Sequence, residues 1–176
     1  PGPTGVSPGA LRWQAAGLVA VPVAVNLSSR DLQNRALPCF VLELLRDHDL
    51  PARNLALEIT EQAVMRDFQR ATLVLECLRD LGIRIAIDDF GTGYSSLAQI
   101  KHLPVDELKI DRSFVMDLPG NDHDAAIVRA SIDLAHNLGL EVLAEGVETQ
   151  PALEWLQAQG CEQAQGFLIS KPMPAE

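Results

Sequence analysis

The sequence predicts an α/β fold of repeated βα units on a parallel sheet, and two observations carry that prediction. Short apolar runs with bulky residues on alternate positions are followed, time after time, by longer segments with helical spacing. Polar residues within those runs collect toward their C-terminal ends, which in a (β/α) barrel all open on one face. One polar strand end means little; a succession of six is hard to obtain by chance.

The elements follow in order. Pro1 to Gly9 is a loop rich in proline and glycine, and Leu11 to Gly17 reads as the tail of a helix. Val21 to Ser28 is a first strand, with Pro22 near its start, where a missing N–H is tolerated. From Asp31 to Asp49, Leu37, Phe40, Val41, Leu44 and Leu45 recur at helical spacing. Asn54 to Thr60 is a strand and Phe68 to Leu81 a helix stopped by Gly82. Ile83 to Asp88 is a strand and Tyr94 to Leu103 a helix. Asp106 to Asp111 is a strand, followed by a short turn and a helix from Asp122 to Leu138 that ends at Gly139. Leu140 to Glu145 is a strand, Thr149 caps a helix with Pro151 in its first turn, and Glu162 to Leu168 is the sixth strand.

Composition sets the bounds. At 176 residues, 47% hydrophobic and 22% charged, the chain suits one well-packed globular domain. No stretch approaches the ~20 apolar residues that cross a bilayer, and no signal-peptide pattern is read at the start. The net charge of −10 argues against nucleic acid as a partner and requires local cations for any anionic ligand. Cys39, Cys77 and Cys161 form no Cys-x-x-Cys pair, so neither a disulfide framework nor a zinc knuckle is indicated. Cys39 and Cys77 are expected to be small core residues, and a reducing cytoplasm fits best.

The third strand organises the rest. Ile85 and Ile87 flank Ala86, and the run ends in Asp88 and Asp89 followed by Gly91 and Gly93, which allow a tight loop. Two adjacent like charges resist burial unless something positive, most simply a divalent cation, lies between them. Asn26, Glu58, Asp88, Asp89 and Asp111 are candidate ligands at the strand ends. All are oxygen donors, suited to magnesium or manganese, with calcium as a competitor. His48, His102, His123 and His136 fall in helices or adjoining loops, away from the strand tips. Residues two apart in a strand share a face, so Lys109 and Asp111 point inward together. Lys109 has a buried salt bridge as its plain role. Its other role is to hold or deprotonate a metal-bound water in phosphodiester hydrolysis, with two ions clamping the attacking and leaving oxygens.

These residues carry a resemblance. Asn26-Leu-Ser28, Leu57-Glu-Ile-Thr-Glu61, Asp88-Asp-Phe-Gly-Thr-Gly-Tyr-Ser-Ser96, Leu108-Lys-Ile-Asp111, Ala144-Glu-Gly-Val-Glu-Thr149 and Gln165-Gly-Phe167, in that order, resemble the EAL-domain family of cyclic-di-GMP phosphodiesterases. The resemblance implies a TIM-type (β/α)8 barrel, about six βα units of which are visible in this chain. It also implies hydrolysis of cyclic di-GMP to linear pGpG, as part of bacterial second-messenger signalling, with magnesium or manganese, two ions in all, and calcium as an inhibitor. By the same resemblance Asn26, Glu58 and Asp88 bind the first metal, Asp89 and Asp111 help hold the second, and Lys109 and Glu145 act on the water. Glu61 anchors the Gly91 to Ser96 loop, which includes Gly93; Gln165 and Glu148 lie toward the substrate. The family pattern further implies a homodimer and frequent fusion to sensory or cyclase-like domains, and it leaves room for a membrane-anchored parent.

The family's Glu-Ala-Leu motif, whose glutamate is a metal ligand, does not occur in these 176 residues. Residues 1–9 are therefore expected to be a loop remnant before a gap near Gly9 and Ala10, with residues 10–176 forming a partial barrel. Three other readings stand beside the enzyme. One is a cyclic di-GMP receptor without turnover, and another is an interaction domain whose strand-end acids are solvated. The third, a protein kinase, is suggested by Asp89-Phe-Gly91 but lacks the glycine-rich and His-Arg-Asp loops.

Overall fold

The computed structural model describes residues 22–91 and 97–173. Six parallel strands lie side by side in chain order as an open half-barrel. They are β1 (Val23–Leu27), β2 (Leu55–Thr60), β3 (Arg84–Phe90), β4 (Glu107–Ile110), β5 (Glu141–Glu145) and β6 (Gln163–Gln165). Parallel neighbours need crossovers, and helices supply them. These are α1 (Ser29–Leu32), α2 (Leu37–Asp47), α3 (Glu61–Met65), α4 (Phe68–Asp80), α5 (Leu97–Ile100), α6 (Arg112–Val115), α7 (Asp122–Leu138) and α8 (Gln150–Ala158).

Alternation along each strand divides the sheet into two faces. Leu57, Ile59, Ile85, Ile87, Leu108, Ile110, Val142 and Ala144 are buried toward the helices, where they meet Val74, Leu75, Leu78, Val128, Ile132 and Leu156. The other face carries Asn26, Glu58, Asp88, Glu107, Lys109, Glu141, Glu145 and Gln165, polar residues interleaved with the apolar set. Burial of the first set holds the register, because a slip of one residue would exchange the two faces. The polar set is thereby fixed toward the barrel interior.

The expected six strands and their order are present, with shifts at the ends. The single helix expected over Asp31 to Asp49 is two helices. Ser28 and Asp31 form a capping box that starts α1, and Asn34 Oδ1 takes the Ala36 amide in a turn. Pro38 in the first turn then starts α2. The one-turn helix α3 was not anticipated; Thr60 caps it through the Ala63 amide, and the chain resumes at Asp67, which caps α4. The sixth strand stops at Gln165 instead of Leu168, because Ile169 and Ser170 turn back to the Gly166 carbonyl.

Cys39 and Cys77 are exposed, against the expectation that they pack in the core. The buried stripe of α2 is Leu37, Val41 and Leu45, and that of α4 is Ala71, Val74, Leu75 and Leu78. Both cysteines sit off those stripes by helical rotation. Phe40 is likewise 40% exposed at the margin of the α2 stripe. Cys161 is half-buried against the core, its thiol donating to the Gln163 carbonyl at 3.2 Å, and burial pushes its pKa up to about 11. The proposed gap at Gly9 and Ala10, and the helix read over Leu11 to Gly17, lie outside the described residues. Among those described, no helix is long and apolar enough to cross a membrane.

Candidate active site

Lys109 is the centre of the site. It is 4% exposed on β4, and its ammonium lies 2.8 Å from Glu58 Oε1 on β2, 3.3 Å from Asp88 Oδ1 on β3 and 2.6 Å from Glu145 Oε1 on β5. Four strands thus deliver charged groups to one point. Burial works against the Lys109 charge, but hydrogen bonds to Glu145 and Glu58 and their negative charges outweigh it and hold the pKa above the ordinary value. Burial and the neighbouring carboxylates also push the Glu145 carboxyl up, in spite of Lys109. Three carboxylates share one cation, so the pocket is left negative.

Asn26 joins this group by register, since it stands directly opposite Glu58 in the β1–β2 pairing. Asp89 sits where the β3–β4 register breaks between Ile87 and Phe90, with φ of 55°, a left-handed conformation uncommon for a residue with a side chain. Burial, then the charges of Asp88 and Asp111, raise its pKa. Asp111 follows β4 and caps α6, its Oδ1 accepting from the Ser113 amide at 2.9 Å and from Ser113 Oγ at 2.5 Å. Those bonds outweigh burial and hold its carboxyl below the usual range.

Glu61, the first residue of α3, is 6% exposed. The loop it was expected to anchor begins at Gly91, but Gly93 and its neighbours at 92–96 lie outside the described residues. Gln165 pairs with Glu145 in the β5–β6 register and is exposed. Glu148 is exposed in the loop between Glu145 and the Thr149 cap. The structure therefore gathers Glu58, Asp88, Lys109 and Glu145 tightly and sets Asn26, Asp89, Asp111 and Gln165 around them.

One layer of the interior went unnoticed in the sequence. Below Lys109, Arg84 contacts Glu107 at 3.2 Å and also Glu141, while Gln163 Nε2 donates to Glu107 at 3.1 Å and to Glu141 at 2.9 Å. These residues floor the half-barrel. The signal was available: Glu107 precedes Lys109 by two positions and so shares its face. A cavity of about 920 Å³ opens beneath that floor, lined by Arg53, Arg79, Arg84 and Lys101 among others. It lies at the N-terminal ends of the strands, away from the carboxylates.

A family profile, described as the EAL domain, matches residues 9–172. The chain belongs to the EAL domain family. The bifunctional diguanylate cyclase/cyclic di-GMP phosphodiesterase MucR of Pseudomonas aeruginosa is 46% identical over 164 residues, covering 93% of this chain and 24% of MucR. The chain thus spans about a quarter of the length of that relative. The solved structure of the PaMucR phosphodiesterase with c-di-GMP superposes with a TM-score of 0.88 at 44% identity, over 95% of this chain and 68% of that one. BlrP1 of Klebsiella pneumoniae, solved with manganese and cyclic di-GMP, gives 0.80 at 34% identity over 91% and 41% of the two chains. Its calcium complex gives 0.84 at 33% over 96% and 43%. The half-barrel is accordingly a TIM-type EAL fold.

The EAL donor set is chemically apt for a hard divalent ion: amide and carboxylate oxygens, no thiolate, no imidazole. Its present arrangement is turned toward Lys109. Among the described residues no three His, Cys, Asp or Glu side chains form a group ready to hold a metal.

Proposed function

We propose that this EAL domain hydrolyses cyclic di-GMP to linear pGpG. The observation that carries the reading is the convergence of Glu58, Asp88 and Glu145 on Lys109 at the strand ends, at 2.6 to 3.3 Å. Asn26, Glu58 and Asp88 would hold one magnesium or manganese ion, and Asp89 and Asp111 would help hold a second. Such ions supply charge for the phosphate and lower the pKa of a water. Lys109 is the donor that orients the incoming oxygen, since a buried amine ringed by carboxylates is suited to holding a proton. Glu145 fixes Lys109 from the far side, and Gln165 meets the substrate where β6 ends. Attack of a hydroxide oxygen forms a new P–O bond as one P–O3′ bond breaks; the departing O3′ takes a proton from solvent, and the ring opens to pGpG with a 5′-phosphate. Calcium would occupy the same oxygens and block turnover.

Relatives longer than this chain support a parent with additional domains, sensory or cyclase-like; a homodimer working in the cytoplasm is part of the same proposal and rests on the family resemblance alone. A second reading, a cyclic di-GMP receptor without turnover, is favoured by one observation: among the described residues no three His, Cys, Asp or Glu side chains form a group ready to hold a metal. The two separate in one experiment. Purified protein with manganese should consume cyclic di-GMP and lose that activity with Glu58→Ala or Lys109→Ala. Tight binding without product would replace the enzyme by the receptor.

A further inference from the structure

Gly146 opens the β5–α8 loop and Gly166 follows β6 beside it, and each occupies a place that a β-carbon cannot. Gly146 has φ of +72°, and a Cβ there would lie 2.5 Å from Arg112 Cβ and 3.2 Å from its Cα. Gly166 would drive a Cβ into the backbone of Val147, 2.6 Å from its carbonyl carbon and nearer still to its N and O. Val147 is held from both directions: its amide donates to the Gln165 carbonyl at 3.0 Å and its own carbonyl accepts from the Leu168 amide at 3.1 Å. Its side chain is wholly buried, so the loop has no room to retreat.

We infer that Gly146 and Gly166 are positioning residues that set the spacing of the strand ends bearing Asp111, Glu145 and Gln165. The inference rests on the proposed hydrolysis only for its kinetic readout. Gly146 presses its loop against Arg112, the residue after Asp111, and directly follows Glu145. Gly166 directly follows Gln165 and lets the end of β6 close on Val147. The loop is a wedge between β4 and β6, and its thickness at two points is that of a bare backbone.

The two glycines act through different partners and separate by readout. Gly146→Ala must push its loop off Arg112 and carry Glu145, the residue before it, along, so the ¹⁵N resonance of the Lys109 ammonium, which reports the Glu145 contact, should shift. Catalytic efficiency should fall by about 100-fold, the loss a displacement near 1 Å can cause. Adding Arg112→Gly removes the β-carbon in the way and should recover about ten-fold of that. Gly166→Ala must yield at the exposed end of β6, because Val147 cannot; it should raise the KM for cyclic di-GMP about ten-fold and leave the Lys109 resonance in place. Gly139→Ala is the control, since its φ is +75° yet nothing lies within 4 Å of its added Cβ. It should lose stability alone.

A Lys109 resonance unmoved by Gly146→Ala, or an Arg112→Gly that rescues nothing, would overturn the assignment and leave these as ordinary turn glycines. Should Gly166→Ala not fold, the Gly146 and Arg112 pair decides by itself. Wild-type protein inert toward cyclic di-GMP would count against the proposed function, while the ammonium resonance would still judge the wedge.

Discussion

Lys109 Nζ lies 2.6 Å from Glu145 Oε1, although the residues belong to different strands and Lys109 faces Leu143, not Glu145, in the β4–β5 register. The lysine therefore reaches up the barrel interior, toward the C-terminal ends, to meet the acids. Removing one partner of a buried ion pair strands the other charges and costs about 3–5 kcal/mol. Lys109→Met should abolish turnover and lower the melting temperature in chelator. Excess manganese should return part of the stability and none of the activity. Thermal melts with and without metal measure both effects; equal melting temperatures for wild type and variant in chelator would contradict this account of the site.

Metal binding should be visible without substrate. Glu58, Asp88 and Glu145 outnumber the single ammonium among them, so cations should be drawn in. A ligand that binds only the folded state at about 100 times its Kd adds about 2.7 kcal/mol of stability. Manganese should raise the melting temperature, and Asp88→Asn should reduce the rise sharply. Glu148→Gln should leave it unchanged, because Glu148 is exposed in the loop after β5 and is not among the proposed ligands. Calorimetric titration of the metal into each variant checks the ranking.

Much of this was legible because the signals were local. Ile85 and Ile87 alternate with inward residues, Thr149 and Pro151 mark the α8 start, and Gly139 ends α7; each is a rule of a few residues. Lys109 and Glu58 were legible as polar interruptions of apolar strands. What the sequence hid was long-range or directional. Nothing local says that Arg84, Glu107, Glu141 and Gln163 meet across four strands, since that depends on register. Nothing in the spacing of Cys39 or Cys77 reveals which side of its helix faces the sheet. Alternation turns Asp111 inward with Lys109, and the start of α6 adds a local partner in Ser113 that the strand pattern does not announce.

Glu162 supplies a pH-dependent contribution away from the site. Its Oε2 accepts from the Val142 amide at 2.9 Å and its Oε1 meets His136 Nε2 at 2.9 Å. Burial opposes its charge, but the Val142 amide and His136 outweigh burial and hold the carboxyl below its usual value. A carboxyl with a lowered folded pKa stabilises above the unfolded value and loses that contribution as pH falls through the folded one. The pair is half-exposed, so Glu162→Gln should cost under about 1 kcal/mol near neutral pH. Chemical denaturation from pH 7 down to about pH 3 should show the difference between variant and wild type shrinking with acid.

The floor of the half-barrel should respond in its own way. Burial first, then the charge of Glu141, raise the Glu107 carboxyl, and Arg84 and Lys109 are the cations that restrain the rise. Without Arg84, Glu107 and Glu141 would face each other through Gln163 alone. Arg84→Met should therefore destabilise the protein, and partial exposure of the guanidinium limits the loss to about 1 kcal/mol. Because the variant raises the folded pKa of Glu107 further, its folded state takes up protons more readily than the unfolded chain as pH falls. Its deficit against wild type should be largest near neutral pH and diminish as Glu107 is protonated. Glu107→Gln, which removes the repulsion, should be milder than Arg84→Met at pH 7. Denaturation midpoints for the two variants across that pH range provide the measurement, and a deficit in Arg84→Met that grew with acid would show that the floor is held by packing and not by charge.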